Sequence, residues 1–224
     1  CLAYRLLSFG RPPSRRLCVP GNHDVDRNYV SSKRVDHDGV LKQVIEDETR
    51  FNDYFGDPSV HFGAKFAKYT EFASEFSGLG ISAPSGSGAP TLSIDTVTER
   101  VAIVGINTAL CSTGGLSADT GQLGLTTREF EKAINRTAGA QEAPPTVLVG
   151  HHPSSWLTPW ASERLRMRRG NPYRLILCGH EHRAQTEQVF DIHGGCAQLV
   201  APALFTHDTE LRGYSIIELD DRGN

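Results

Sequence analysis

Three apolar runs in this chain end in the same way, and that recurrence constrains the fold more than any other feature. Leu17-Cys18-Val19-Pro20-Gly21 leads into Asn22-His23-Asp24, Val147-Leu148-Val149-Gly150 into His151-His152, and Leu175-Ile176-Leu177-Cys178-Gly179 into His180-Glu181-His182. Each run reads as a strand, and each glycine lets the backbone turn closely at its end. In open α/β sheets the carboxyl ends of the strands point into one crevice, so the three groups are expected to converge on one site. Five of the nine histidines fall at these three places. The shape alone is not diagnostic, because Val101-Ala102-Ile103-Val104-Gly105 ends likewise and leads only to Ile106-Asn107-Thr108. The signal is the recurrence of ligand-type residues.

Strand-length runs are also predicted at 92–97, 101–104, 146–149, 174–178, 198–200 and 214–219, with helical stretches between several of them, so the architecture is mixed α/β. The clearest helix start is Thr126, whose hydroxyl is placed to cap the first turn, with Glu129 three residues on and Leu125 positioned to staple onto Phe130. From about Leu41 to Gly78 the spacing is helical, with Phe66, Tyr69, Ala73 and Phe76 on one stripe that reads as the core of an insertion. Residues 82–90, rich in Ser, Gly and Pro, read as a surface loop. No repeat or linker divides the 224 residues, so 1–224 is taken as a single domain.

Composition narrows the setting. A net charge of −3 gives no global basic field for nucleic acid or an acidic membrane surface. No apolar stretch approaches the roughly 18 residues of a membrane span. The five cysteines are odd in number and include no C-x-x-C pair, as expected of reduced thiols in a cytoplasmic protein.

The residue types at the three strand ends point to metal chemistry. His180 and His182 lie two apart, so on an extended chain they face the same way and Glu181 the other, and two neighbouring metals could each take one. Imidazoles with the Asn22 amide oxygen make a ligand set suited to Mn, Fe, Zn or Ni. G-x-S-x-G, H-E-x-x-H, P-loop and deaminase signatures are all absent from the chain.

Gly21-Asn22-His23-Asp24, His151-His152-Pro153 and Gly179-His180-Glu181-His182 resemble, in order and interval, the last three blocks of the calcineurin-like metallophosphoesterase superfamily. The likeness spans almost the whole chain, down to the run Gly213–Leu219. It implies an αββα sandwich of mixed β-sheets flanked by helices, with the helical segment at 41–78 as an insertion. It also implies two divalent metal ions, with Asn22, His151 and His180 on one and His182 on the other. His23 would be the catalytic residue, as general acid or transition-state stabiliser, while a hydroxide bridging the metals attacks phosphorus in line. The family's ligand stands two residues before the proline, which selects His151 and leaves His152 to line the substrate pocket. The implied substrate is a phosphodiester in a nucleotide or nucleic acid, with no membrane partner. The alternatives are a phosphomonoesterase or protein phosphatase, and a catalytically silent module of a larger protein.

The family's first two blocks, Asp-x-His and Gly-Asp, have no counterpart before Gly21, and residues 1–20 contain no Asp, Glu or His. The expectation is an N-terminally truncated domain, part of a longer chain, that by itself binds metal poorly and is nearly inactive. Elsewhere His37, His61, His193 and His207 read as structural or surface residues. Asp24 and Asp26 read as loop-orienting or capping groups, and Arg164, Arg166, Arg168, Arg169 and Arg174 as a solvated basic face rather than a phosphate contact. Trp156 and Trp160 are open to two readings, stacking on a base or packing beneath the loop.

Overall fold

A computed structural model describes residues 17–32, 34–56, 61–77, 91–95, 100–113, 119–138, 145–167, 173–182, 184–191, 194–202 and 217. Six strands form one mixed sheet: β1 (Thr91–Asp95), β2 (Arg100–Gly105), β3 (Thr146–Val149), β4 (Tyr173–Cys178), β5 (Gln185–Asp191) and β6 (Gly194–Val200), in the order β1-β2-β3-β4-β6-β5. β2, β3, β4 and β6 run parallel, while β1 and β5 pair antiparallel at the two edges. Strands inside a parallel sheet are covered on both faces, which is why β2 and β4 read as near-continuous aliphatic runs. The mixed α/β class is as expected. The second sheet of the expected sandwich has no strand among the described residues, and of the run 214–219 only Ile217 is described, exposed and outside any strand.

One local expectation is corrected, and one strand was not expected. Residues 17–21 form no strand; the Cys18 carbonyl is met by the Tyr69 hydroxyl at 2.9 Å instead of by a neighbouring strand, and Pro20 has no N–H to offer a ladder. Conversely, β5 carries no apolar alternation that would announce it. Gln185 to Gln188 are exposed, and the strand exists because β6 supplies a seven-residue antiparallel partner.

Among the described residues six α-helices accompany the sheet: α1 (Arg27–Ser32), α2 (Arg34–Val44), α3 (Glu48–Gly56), α4 (Ala67–Ser77), α5 (Thr127–Ala138) and α6 (Pro159–Met167). A 3-10 turn, His61–Phe66, precedes α4. Helical structure thus begins upstream of Leu41. Phe66, Tyr69 and Ala73 are buried and Phe76 packs against the same core. Fully buried Phe51 lies 4.5 Å from Phe55 and 5.2 Å from Trp160, between ring centroids. Gly124 makes that packing possible, because a Cβ there would stand 2.5 Å from the Phe51 ring. α5 starts where the sequence places it, with Thr126 O accepting from Phe130 N, and its second free amide, Arg128 N, is met by Asn52 Oδ1 from α3 at 3.0 Å. Buried Lys65 reaches from the 3-10 turn to donate to the carbonyls of Leu110 and Ser112, at 2.5 and 3.1 Å. Among the described residues no helix is long and apolar enough to cross a membrane.

Candidate metal centre

The parallel arrangement brings the carboxyl ends of β2, β3 and β4 to one edge of the sheet. Ladder-like bonds continue beyond the strands: Ile106 N to Val149 O, Gly150 N to Leu177 O and Gly179 N to His151 O, all at 2.8–2.9 Å. These bonds lock the histidine loops to one another. The third group arrives on a tight turn, Asn22–Asp24, in which the Asp24 carboxylate accepts from Gly21 N at 2.9 Å. Asp26 caps α1, accepting from Asn28 N and Tyr29 N. Both aspartates therefore have the structural duties expected of them.

Asn22 Oδ1 lies 3.0 Å from His151 Nε2, which in turn lies 3.3 Å from His180 Nδ1. One ring nitrogen carries at most one proton, so it cannot donate to both neighbours at once. Two donors bound to a shared cation at about 2.0–2.1 Å, at angles between 90° and tetrahedral, are about 2.9–3.4 Å apart. The observed spacings match that edge length, so the donor set fits a small divalent ion. Asn22 is fully buried and its Nδ2, like His152 Nε2, meets no hydrogen-bond partner among the described residues. Potential ligand atoms of His151, His152 and His180 all lie within 4.8 Å of one another.

Burial dominates the electrostatics. Desolvation, with the neighbouring imidazoles His180, His23 and His182 adding to it, pushes His151 down to about 3. Desolvation, then His151 and His180, pushes His152 down to about 2. His180 is lowered by burial and by His182, against an opposing pull from Glu181 and Asp119. The rings are thus held neutral near pH 7, the form that ligates a metal.

The backbone is shaped to the cluster. A Cβ on Gly21 would fall 2.7 Å from the His151 ring, so only glycine lets that ring lie against the turn. His180 and His182 take left-handed backbone conformations, φ +73° and +56°, which cost about 1–3 kcal/mol each for a residue with a side chain.

His151 is in direct contact with both Asn22 and His180. His152 stands beside them, its ring centroid 4.4 Å from that of His180. His23 is exposed and His182 half-buried, both close enough to bear on the charge of His151 and His180.

Three contributors were not singled out. Thr108 follows the fourth strand end, β2; its hydroxyl lies 2.9 Å from His152 Nδ1 and also accepts from His152 N. A polar residue at a fourth parallel strand end was the available signal. Glu181 accepts from Trp156 Nε1 at 3.0 Å. Buried Asp119 accepts from the Ser112 hydroxyl at 2.6 Å. Trp156 packs against His180, centroids 4.2 Å apart, and Trp160 donates to Ile45 O, so both indoles serve packing.

Of the basic cluster, Arg164 forks onto Glu48, Arg166 pairs with Glu163, Arg174 is exposed, and Arg168 and Arg169 lie outside the described residues. His37 and His61 lie on α2 and the 3-10 turn; His193 and His207 fall outside the described residues.

No curated protein matches the chain. A family model described as calcineurin-like phosphoesterase matches residues 2–184, well over half of the 224, and covers all three histidine-bearing segments. The chain belongs to the calcineurin-like phosphoesterase family, whose members hydrolyse phosphoesters with the help of divalent metal ions.

Proposed function

We propose that this protein is a phosphodiesterase in which Asn22, His151 and His180 hold one divalent ion and His182 serves a second. The observation that carries the reading is His151 Nε2 lying at cation-edge spacing from both Asn22 Oδ1 and His180 Nδ1. Bound divalent ions, drawn from Mn, Fe, Zn or Ni, supply Lewis acidity toward phosphoryl oxygens and acidify water.

The chain's own groups divide the remaining work. Asn22 is a neutral ligand and so leaves the full cationic charge to face the substrate, where a carboxylate would offset part of it. His23, exposed on the turn after Gly21, is placed to meet the leaving oxygen from the solvent side and to pass it a proton. His152, its ring oriented by Thr108 and lying beside His180, is assigned to the wall of the substrate pocket. Because burial keeps His151 and His152 neutral, the walls add little positive charge of their own. The single negative charge of a diester suits such walls better than the dianion of a monoester. A nucleotide or nucleic-acid substrate and a cytoplasmic setting rest on the motif resemblance and the cysteine usage.

The test compares bis-p-nitrophenyl phosphate with p-nitrophenyl phosphate as substrates of the Mn²⁺-loaded full-length protein, the longer chain that the motif resemblance implies. Faster diester turnover is expected. Faster monoester turnover would make the protein a phosphomonoesterase, and turnover of neither would support a silent module.

A further inference from the structure

The Gly179–His182 turn is held in an unfavourable backbone, and one side-chain bond grips its middle. His180 and His182 are both left-handed, and Glu181 stands between them with its N–H on Gly179 O at 2.9 Å. Its carboxylate receives the Trp156 indole N–H at 3.0 Å. The same indole lies edge-on to His180, ring centroids 4.2 Å apart at 81°. Trp156 is itself anchored: its carbonyl accepts from Gly121 N at 3.0 Å and Leu123 N at 3.3 Å, and its N–H donates to Pro153 O at 3.0 Å. It sits on the turn that directly follows His151-His152-Pro153. The loop after β3 therefore carries both a candidate ligand, His151, and a brace for the loop after β4.

We propose that Trp156 and Glu181 are positioning residues, their hydrogen bond holding the Gly179–His182 turn in the left-handed backbone that aims His180 Nδ1 at His151 and Asn22. A non-glycine residue released from this grip relaxes toward right-handed or extended backbone, which swings the imidazole away from its partners. With its N–H committed to Glu181 and its ring set against His180, Trp156 orients the site.

The inference rests on the metal-centre reading above, and the experiment separates the two. Co²⁺ is titrated into the full-length protein and into its Trp156→Phe, Glu181→Ala and Glu181→Gln variants, with binding followed by visible absorption and the metal-free thermal midpoint measured alongside. Trp156→Phe keeps a smaller aromatic ring near His180 and removes the indole N–H, while the Glu181 variants change the acceptor without changing that ring. Both it and Glu181→Ala should bind Co²⁺ about ten- to a hundredfold more weakly, the usual cost of losing a partner that orients a ligand. Glu181→Gln retains an acceptor oxygen and should stay within about threefold of the parent. Metal-free midpoints should barely move. Unchanged affinity in Trp156→Phe and Glu181→Ala would overturn the positioning role, as would Glu181→Gln falling as far as Glu181→Ala. Failure of the parent to bind Co²⁺ would overturn the metal centre itself.

Discussion

The helical segment that packs on α5 and α6 and the corner where β3 and β4 end are built on opposite terms. In the first, polar groups are matched: Asn52 serves both Thr127 Oγ1 and Arg128 N, Trp160 finds Ile45 O, and Arg164 forks onto Glu48. Its apolar rings fill their space closely enough that Gly124 has no room for a methyl. At the corner, Asn22 and His152 leave buried atoms without partners among the described residues, two histidines bear left-handed backbone, and three ligand-type atoms crowd one point. One region stores stability and the other spends it on preorganisation for a ligand.

The contrast breaks most sharply under paired substitutions. Phe51→Ala empties a fully buried site and should cost about 3–5 kcal/mol of unfolding free energy while leaving metal affinity per folded molecule unchanged. His151→Ala should do the reverse, lowering Mn²⁺ affinity by more than about a hundredfold with little loss of metal-free stability. Calorimetric titration and denaturant unfolding read the two effects separately. A large stability loss in His151→Ala would erase the distinction.

Acid should find the corner before the helices. His151 and His152 sit far below their ordinary value in the folded protein, at about 3 and about 2, so between there and pH 6.5 the unfolded chain binds more protons than the folded one. Metal-free stability should therefore be complete above pH 6.5 and fall as pH drops, by up to about 1.4 kcal/mol per pH unit for each ring. Unfolding measured from pH 7.5 to 5 checks this, and the slope should shrink in His152→Phe. The smallest effect is expected at the exposed Arg164–Glu48 fork. Arg164→Ala should cost about 1 kcal/mol or less and leave both metal binding and the pH slope alone.

What the sequence revealed and what it hid divide along the same line. The strand ends carrying His151 and His180, and the turn carrying Asn22, were legible because aliphatic runs, glycines and ligand-type residues are local signals. The start of α5 at Thr126 was legible for the same reason. Thr108 was not, since its strand end looked bare until the parallel order of β2 and β3 set it beside His152. β5 was hidden because its exposed Gln185–Gln188 stretch takes strand form from β6 rather than from its own pattern. The Trp156–Glu181 bond joins residues 25 apart on two loops, and Asn52 caps a helix 76 residues away; no spacing rule reaches either. The strand expected at Leu17–Val19 overweighted three apolar residues whose carbonyl partner is a tyrosine hydroxyl.

The central claim is that Asn22, His151 and His180 together ligate a divalent ion. X-ray absorption at the cobalt edge of the Co²⁺-loaded protein tests it most directly. Imidazole scattering from ligands at about 2.0–2.1 Å is expected, diminished in His151→Ala and again in His180→Ala. A spectrum of oxygen ligands alone, identical in the parent and both variants, would contradict it.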